Sequence, residues 1–167
     1  MSAQPYSKNS VRSGFTLVEI MVVVVIIGLL AAIAIPTFAL IKERSRAQVF
    51  ANDLRMLRDA CALYYLENGE LPDSGSANIW QEAGLAAYLD ASFDQGSDPI
   101  VGGVWDTEGT EGGANGIVRA GAGVDFQGVP PYPEVVARAD AILDNGDVNT
   151  GEARFVSSSR YYWVLDE

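Results

Sequence analysis

Histidine is absent from these 167 residues, and cysteine occurs once, at Cys61. Those two scarcities exclude a Cys/His zinc centre, the common nucleophile–histidine arrangements and any disulfide within the sequence. Basic residues are also scarce, and unevenly so. Residues 47–167 carry 20 acidic against 6 basic side chains, a net of −14. Residues 1–46 carry Lys8, Arg12, Lys42, Arg44 and Arg46 against Glu19 and Glu43, a net of +3. The acidic part has no basic patch to displace counterions from phosphates, so no nucleic-acid partner is expected. The asymmetry fits a membrane protein whose basic end stays cytoplasmic and whose acidic part lies across the bilayer.

Charge is missing altogether from Ile20 to Ile41, a run of 22 residues. At 1.5 Å per residue such a helix is roughly 33 Å long, about one hydrocarbon core. Met21 to Leu30 is apolar on every face. The remaining chain is too small to surround such a helix, which argues for a membrane span rather than a buried core helix. Basic residues flank the run on both sides, so they do not decide its orientation. An ordinary secretory signal is cut after a short apolar region. Here the small residue that looks like a cut site, Gly14, comes before the run. Cleavage there removes a polar leader and leaves the apolar helix as the new N-terminus.

Gly14-Phe15-Thr16-Leu17-Val18-Glu19, followed by this apolar helix, resembles the type III signal sequence of type IV pilins and type II secretion pseudopilins. The resemblance covers residues 8–45 and extends more weakly to Pro72. It implies that a prepilin peptidase cuts between Gly14 and Phe15 and methylates the amine of Phe15. Glu19 is then the family's assembly glutamate, pairing with the Phe15 amine of a neighbouring subunit. Thr16-x-x-Glu19 also has capping-box spacing, and an acid in a first turn suits the helix dipole. Both roles remain open. Gly28 and Pro36 match the family's helix-softening positions. Proline lacks an N–H and weakens the helix four residues back, near Ala32.

Beyond Pro36 the pattern becomes amphipathic. Phe50, Leu54, Leu57, Cys61 and Tyr64 fall on one helical face, so Cys61 reads as a small buried hydrophobe. Asn68-Gly69 marks the helix end, with Pro72 beyond. Tyr64 to Pro72 resembles the helix-end pattern of major pseudopilins and related pilins. The expected organisation is a leader over 1–14, a transmembrane and assembly helix over 15–41, its amphipathic continuation over 42–69 and an acidic globular domain over 70–167.

Within that domain, residues 73–95 predict a short helix, with Trp80, Leu85, Tyr88 and Leu89 as packing residues. Gly96 to Gly128 holds 10 glycines in 33 residues. Its apolar pieces, Ile100–Trp105, Ile117–Val118 and Val124–Phe126, suit either short strands or a long irregular loop. Pro133 starts a helix over Glu134–Leu143 with Val135, Ala139, Ile142 and Leu143 as its apolar face. Arg154–Val156 and Arg160–Leu165 read as strands. The second is apolar on both faces and therefore central or covered.

The resemblance implies an α+β, pilin-like fold, with the long N-terminal helix packed on a small antiparallel sheet. Asp144 to Glu152 alternates oxygen side chains with glycine. It reads either as an acidic turn or as a calcium loop with Asp144, Asp147 and Asn149 as ligands, since calcium takes six to eight oxygens. The EF-hand spacing is not met. Many type IV pilins close a C-terminal loop with a disulfide, and the single cysteine moves weight toward the pseudopilins.

The implied function is structural rather than enzymatic: a filament subunit of a type II secretion pseudopilus or a pilus. The alternative is a minor pilin acting as a tip or ligand-binding module. The implied partners are prepilin peptidase, copies of this chain, other pilins or pseudopilins, and an inner-membrane assembly platform with its ATPase. The implied location is the bacterial inner membrane, single-pass, with the globular domain periplasmic, or extracellular after assembly.

Overall fold

The computed structural model describes residues 14–72, 84–89, 93, 100–109, 120–128 and 130–166. Among them the fold is α+β and pilin-like, with a long N-terminal helix and a small antiparallel sheet. Helix α1 spans Leu17–Asn68. Chain contacts divide the protein into two compact units, Met1–Leu40 and Ile41–Glu167.

The first unit contains the apolar half of α1. Its large side chains are exposed, Val22 to Ile27 by about half and Leu29 and Ile33 by more. Among the described residues α1 is the one helix long and apolar enough to cross a membrane. Pro36 lies inside the helix. The Thr37 hydroxyl donates to the Ile33 carbonyl at 2.9 Å, a back-bond that bends helices slightly.

In the second unit, α1 becomes two-sided. Ala47, Phe50, Ala51, Leu54, Leu57, Ala60 and Cys61 are buried, which is the expected stripe with alanines filling the positions of close approach. The helix stops at Gly69, whose φ of 76° suits glycine. The Gly69 N–H donates to the Tyr65 carbonyl at 2.8 Å.

The sheet comprises β1 (Val104–Glu108), β2 (Ala120–Asp125), β3 (Ala153–Phe155) and β4 (Arg160–Asp166), in the order β1-β2-β4-β3. All three pairings are antiparallel. Helix α2 (Pro133–Leu143) lies between β2 and β3 in sequence. Trp105, Ala122, Val124, Ala153, Tyr161 and Trp163 join the α1 stripe in the main core. Phe50 stands at its centre, with ring centroids 6.1 Å from Trp105 and 6.2 Å from Tyr161. Such pairs contribute beyond their buried area.

Among the described residues, the glycine-rich region contributes the two strands β1 and β2. Ile100–Trp105 is not one strand. Gly102 and Gly103 have φ values of 74° and 95°, and the strand starts after them. Val124 and Asp125 end β2, and Ile117–Val118 lies outside the described residues. The expected helix over 73–95 is described only as a 3₁₀ turn at Leu85–Ala87. Leu85 and Leu89 are buried there, and Trp80 lies outside the described residues. Helix α2 matches its expected span, but its buried face is Val135, Val136, Ala139 and Asp140. Ile142 is exposed instead. Val135 and Ala139 are buried as expected and Leu143 packs against the core, so the inward face differs by Val136 and Asp140 in place of Ile142.

β4 is central, as its two apolar faces required. Tyr161 and Trp163 face α1, while Tyr162 packs with Val156 and Val164 in a second cluster. Two glycines of β2 make room for it. A Cβ at Gly121 would come within 2.8 Å of one edge of the Tyr162 ring. One at Gly123 would meet the opposite ring edge, the Tyr162 Cα at 2.7 Å, and the Tyr161 carbonyl oxygen. The backbone contacts cannot yield cheaply. Gly123→Ala is therefore expected to cost about 3 kcal/mol, the upper range for overpacking. Thermal unfolding of the full chain in detergent should show a clear fall in midpoint; an unchanged midpoint would contradict this packing.

Candidate functional site

Residues 14–16 are non-helical and exposed, just ahead of α1. Phe15 is 85% exposed, and a Cβ at Gly14 would meet nothing within 4 Å. Exposed, non-helical backbone of this kind is where proteolytic cleavage is favoured. The helix start is held by the capping box. The Thr16 N–H donates to Glu19 Oε2 at 2.7 Å, and the Thr16 hydroxyl to the same oxygen at 2.8 Å. The Glu19 N–H donates back to Thr16 Oγ1 at 3.3 Å. The local role of Glu19 is thus present in a single chain. The carboxylate is exposed there, so the geometry leaves it reachable by a neighbour. Gly28 also faces open space: a Cβ added there would meet nothing within 4 Å.

Asp144, Asp147 and Asn149 share one loop between α2 and β3. One oxygen each of Asp144 and Asp147 accepts backbone amides nearby, and the Asn149 side chain donates to Asp147 at 3.2 Å. Asp144 Oδ2 accepts the Glu152 N–H at 2.6 Å and the Ala153 N–H at 3.3 Å. Asp147 Oδ1 accepts the Asn149 N–H at 3.1 Å. That backbone amide, with the Asn149 side chain, holds the Asp147 carboxyl below the usual carboxylate range. Among the described residues no group of three or more His, Cys, Asp or Glu side chains is placed to hold a metal ion. These hydrogen bonds are the contacts of an acidic turn.

Three arrangements escaped the sequence reading. Asp140 is fully buried on α2, and Oδ1 accepts the Tyr161 hydroxyl at 2.6 Å. Asp140 lies one turn from Val136, but the local pattern does not mark that side of α2 as inward. Arg160 sits among Asp106, Glu108 and Asp125, with the Tyr162 hydroxyl donating to Asp106. Burial opposes the Arg160 charge, yet the Tyr162 oxygen and the three carboxylates raise its pKa. Arg58 stacks on Trp163 at 4.4 Å and Arg46 on Tyr132 at 5.0 Å. Cys61 is buried as expected, and burial pushes its thiol up to about 12.

The N-terminal geometry is that of a chain with an accessible glycine–phenylalanine step, one carboxylate and an apolar helix. The family model described as the prokaryotic N-terminal methylation motif matches residues 9–35, which span that step. The chain thus carries a pilin-type methylation motif on an apolar helix. Over a third to a half of its length it is similar to type II secretion core proteins and fimbrial proteins. Type II secretion system core protein G of Klebsiella pneumoniae is 40% identical over 80 residues, 48% of this chain and 52% of that protein. The core protein G of Aeromonas hydrophila is 41% identical over 61 residues, 36% and 43% of the two chains. A fimbrial protein of Neisseria meningitidis is 37% identical over 84 residues, 49% and 45%. The chain spans about half the length of the curated relatives it matches. No solved structure matches it significantly.

Burial pushes the Asp140 carboxyl above its ordinary value; the Tyr161 hydroxyl and Gly146 N–H oppose the shift, and Asp144 and Asp147 add to it. The folded chain therefore holds this proton at a pH where the unfolded chain has lost it. Its contribution to stability is greatest below the ordinary carboxylate value and is lost as pH rises through the raised one. Asp140→Asn keeps an acceptor for Tyr161 but cannot ionise. Between about pH 4 and pH 7, wild type should lose more stability than Asp140→Asn. Parallel midpoint-against-pH curves would contradict the shift.

Proposed function

We propose that this chain is a structural filament subunit and not an enzyme. Ile20–Ile41 inserts as a single span in the bacterial inner membrane, with the leader cytoplasmic and the acidic domain periplasmic. Prepilin peptidase cuts between Gly14 and Phe15, and the Phe15 amine is methylated. The processed chain polymerises with copies of itself and with other pilins or pseudopilins into a type II secretion pseudopilus or a pilus. An inner-membrane assembly platform and its ATPase supply the work.

The observation that carries this reading is the methylation motif matched over residues 9–35, set at the head of an exposed apolar helix. The relatives named core protein G and fimbrial protein support it. The exposed apolar surface adds a physical reason: lipid covers it before assembly, and neighbouring helices cover it afterwards.

In that dry surrounding a lone carboxylate is costly. Pairing Glu19 with the Phe15 amine of a neighbour neutralises both groups and sets the axial register of the incoming subunit. Gly28 and Pro36 supply the segment at which helical hydrogen bonds yield in the filament. Glu19→Ala removes one partner of the buried pair, a change that costs about 3 kcal/mol or more. The variant should insert and be cleaved normally, while sheared filament yield falls at least tenfold by roughly that energy. Normal filaments from Glu19→Ala would sink the pairing.

A further inference from the structure

We infer that Lys42, Arg44 and Arg46, together with Tyr132, form a seat for anionic phospholipid headgroups that fixes the depth of the unassembled chain in the bilayer. The inference rests on the membrane insertion proposed above. Lys42 follows directly on Ile41, the last residue of the uncharged run. At 100° and 1.5 Å per residue, the three cations lie within about 6 Å along the axis and on two opposite sides of the helix. A layer of headgroups surrounds a helix on every side, whereas one protein partner covers one side. That geometry favours lipid phosphate over a neighbour's carboxylates.

The contacts around the collar leave its charge available. Lys42 and Arg44 are exposed, and among the described residues neither pairs with a carboxylate. The acid between them, Glu43, lies 3.7 Å from Arg138 of α2, so a cation of the globular unit offsets it. Arg46 lies over the Tyr132 ring at 5.0 Å. Tyr132 is itself 42% exposed, and tyrosine is a residue type that favours the membrane–water interface.

The surrounding charge sharpens the assignment. The rest of the chain, residues 47–167, has a net of −14 and is repelled by an anionic leaflet, so the collar is where headgroups can be met. Cations beside a span also favour the cytoplasmic side. Three of them on the translocated flank work against the proposed orientation, which calls for a compensating interaction there. Once residues 1–14 are removed, Lys8 and Arg12 are gone, and this collar holds the basic side chains nearest the span.

The test uses the full chain in vesicles containing equal phosphatidylglycerol and phosphatidylcholine, followed by gentle detergent release and native mass spectrometry. Wild type should retain phosphatidylglycerol over phosphatidylcholine by about tenfold, as two to three surface cations allow. Lys42→Gln/Arg44→Gln should bring the ratio near one, and Lys42→Arg should keep it. Circular dichroism checks that each variant is folded; both positions are exposed, and Arg44→Gln alone gives an intermediate ratio. Equal retention of the two lipids by wild type, or an unchanged ratio in the double variant, overturns the inference. An unchanged ratio with fewer filaments would instead assign the cations to a protein partner, and overturns it too. Carbonate extraction separates the underlying reading: a chain stripped from vesicles by carbonate was never inserted, whereas a resistant chain without lipid preference refutes the seat alone.

Discussion

An α-helix that is apolar on every face has no stable home in water. Residues 20–41 of this chain form such a helix, with its side chains exposed in the single protein. Burial of apolar surface stabilises by about 25 cal/mol per Å², so the segment must find either lipid or other helices. The polarity of everything around it follows from that constraint. The charges are held at its borders, with Glu19 at the start and Lys42, Glu43 and Arg44 at the end. At that first border, the capping contacts with Thr16 give Glu19 a local role in the isolated chain.

The second unit solves a different problem with the same helix. One stripe of α1 is buried against the sheet, and Phe50 meets Trp105 and Tyr161 there. The opposite sheet face is built around Tyr162, which lies against the glycines of β2, and around Arg160 among three carboxylates. A strongly acidic domain gains from such placement, because a central guanidinium offsets part of its negative charge. Two further arginines stack on aromatic rings. Among the described residues, Arg46, Arg58, Arg138 and Arg160 thus make structural contacts, which sets Lys42 and Arg44 apart from them.

What could be read directly from the residues was what repeats locally or stands in consecutive order. The stripe from Phe50 to Tyr64 has helical spacing, and the Gly14–Glu19 motif is contiguous. Asn68-Gly69 is a local stop, and β4 declared itself central through apolar residues on both faces. The glycine-rich strands were not legible, because Gly121 and Gly123 belong in β2 only through the Tyr162 ring, which arrives from far along the chain. The inward face of α2 was read only in part, for a related reason. Asp140 looks solvent-facing until the Tyr161 hydroxyl is placed beside it. In the oxygen-rich loop after α2, composition did not show that one oxygen each of Asp144 and Asp147 accepts a backbone amide of the loop itself.

In the proposed function, cleavage between Gly14 and Phe15 falls ahead of the apolar run, so it would expose a new terminus without releasing the helix. Intact-mass and N-terminal analysis of the chain, recovered from membranes of cells containing a prepilin peptidase, tests this most directly. The predicted result is a chain beginning at Phe15 and carrying one methyl group on its amine. A chain that keeps residues 1–14 under those conditions would contradict the account.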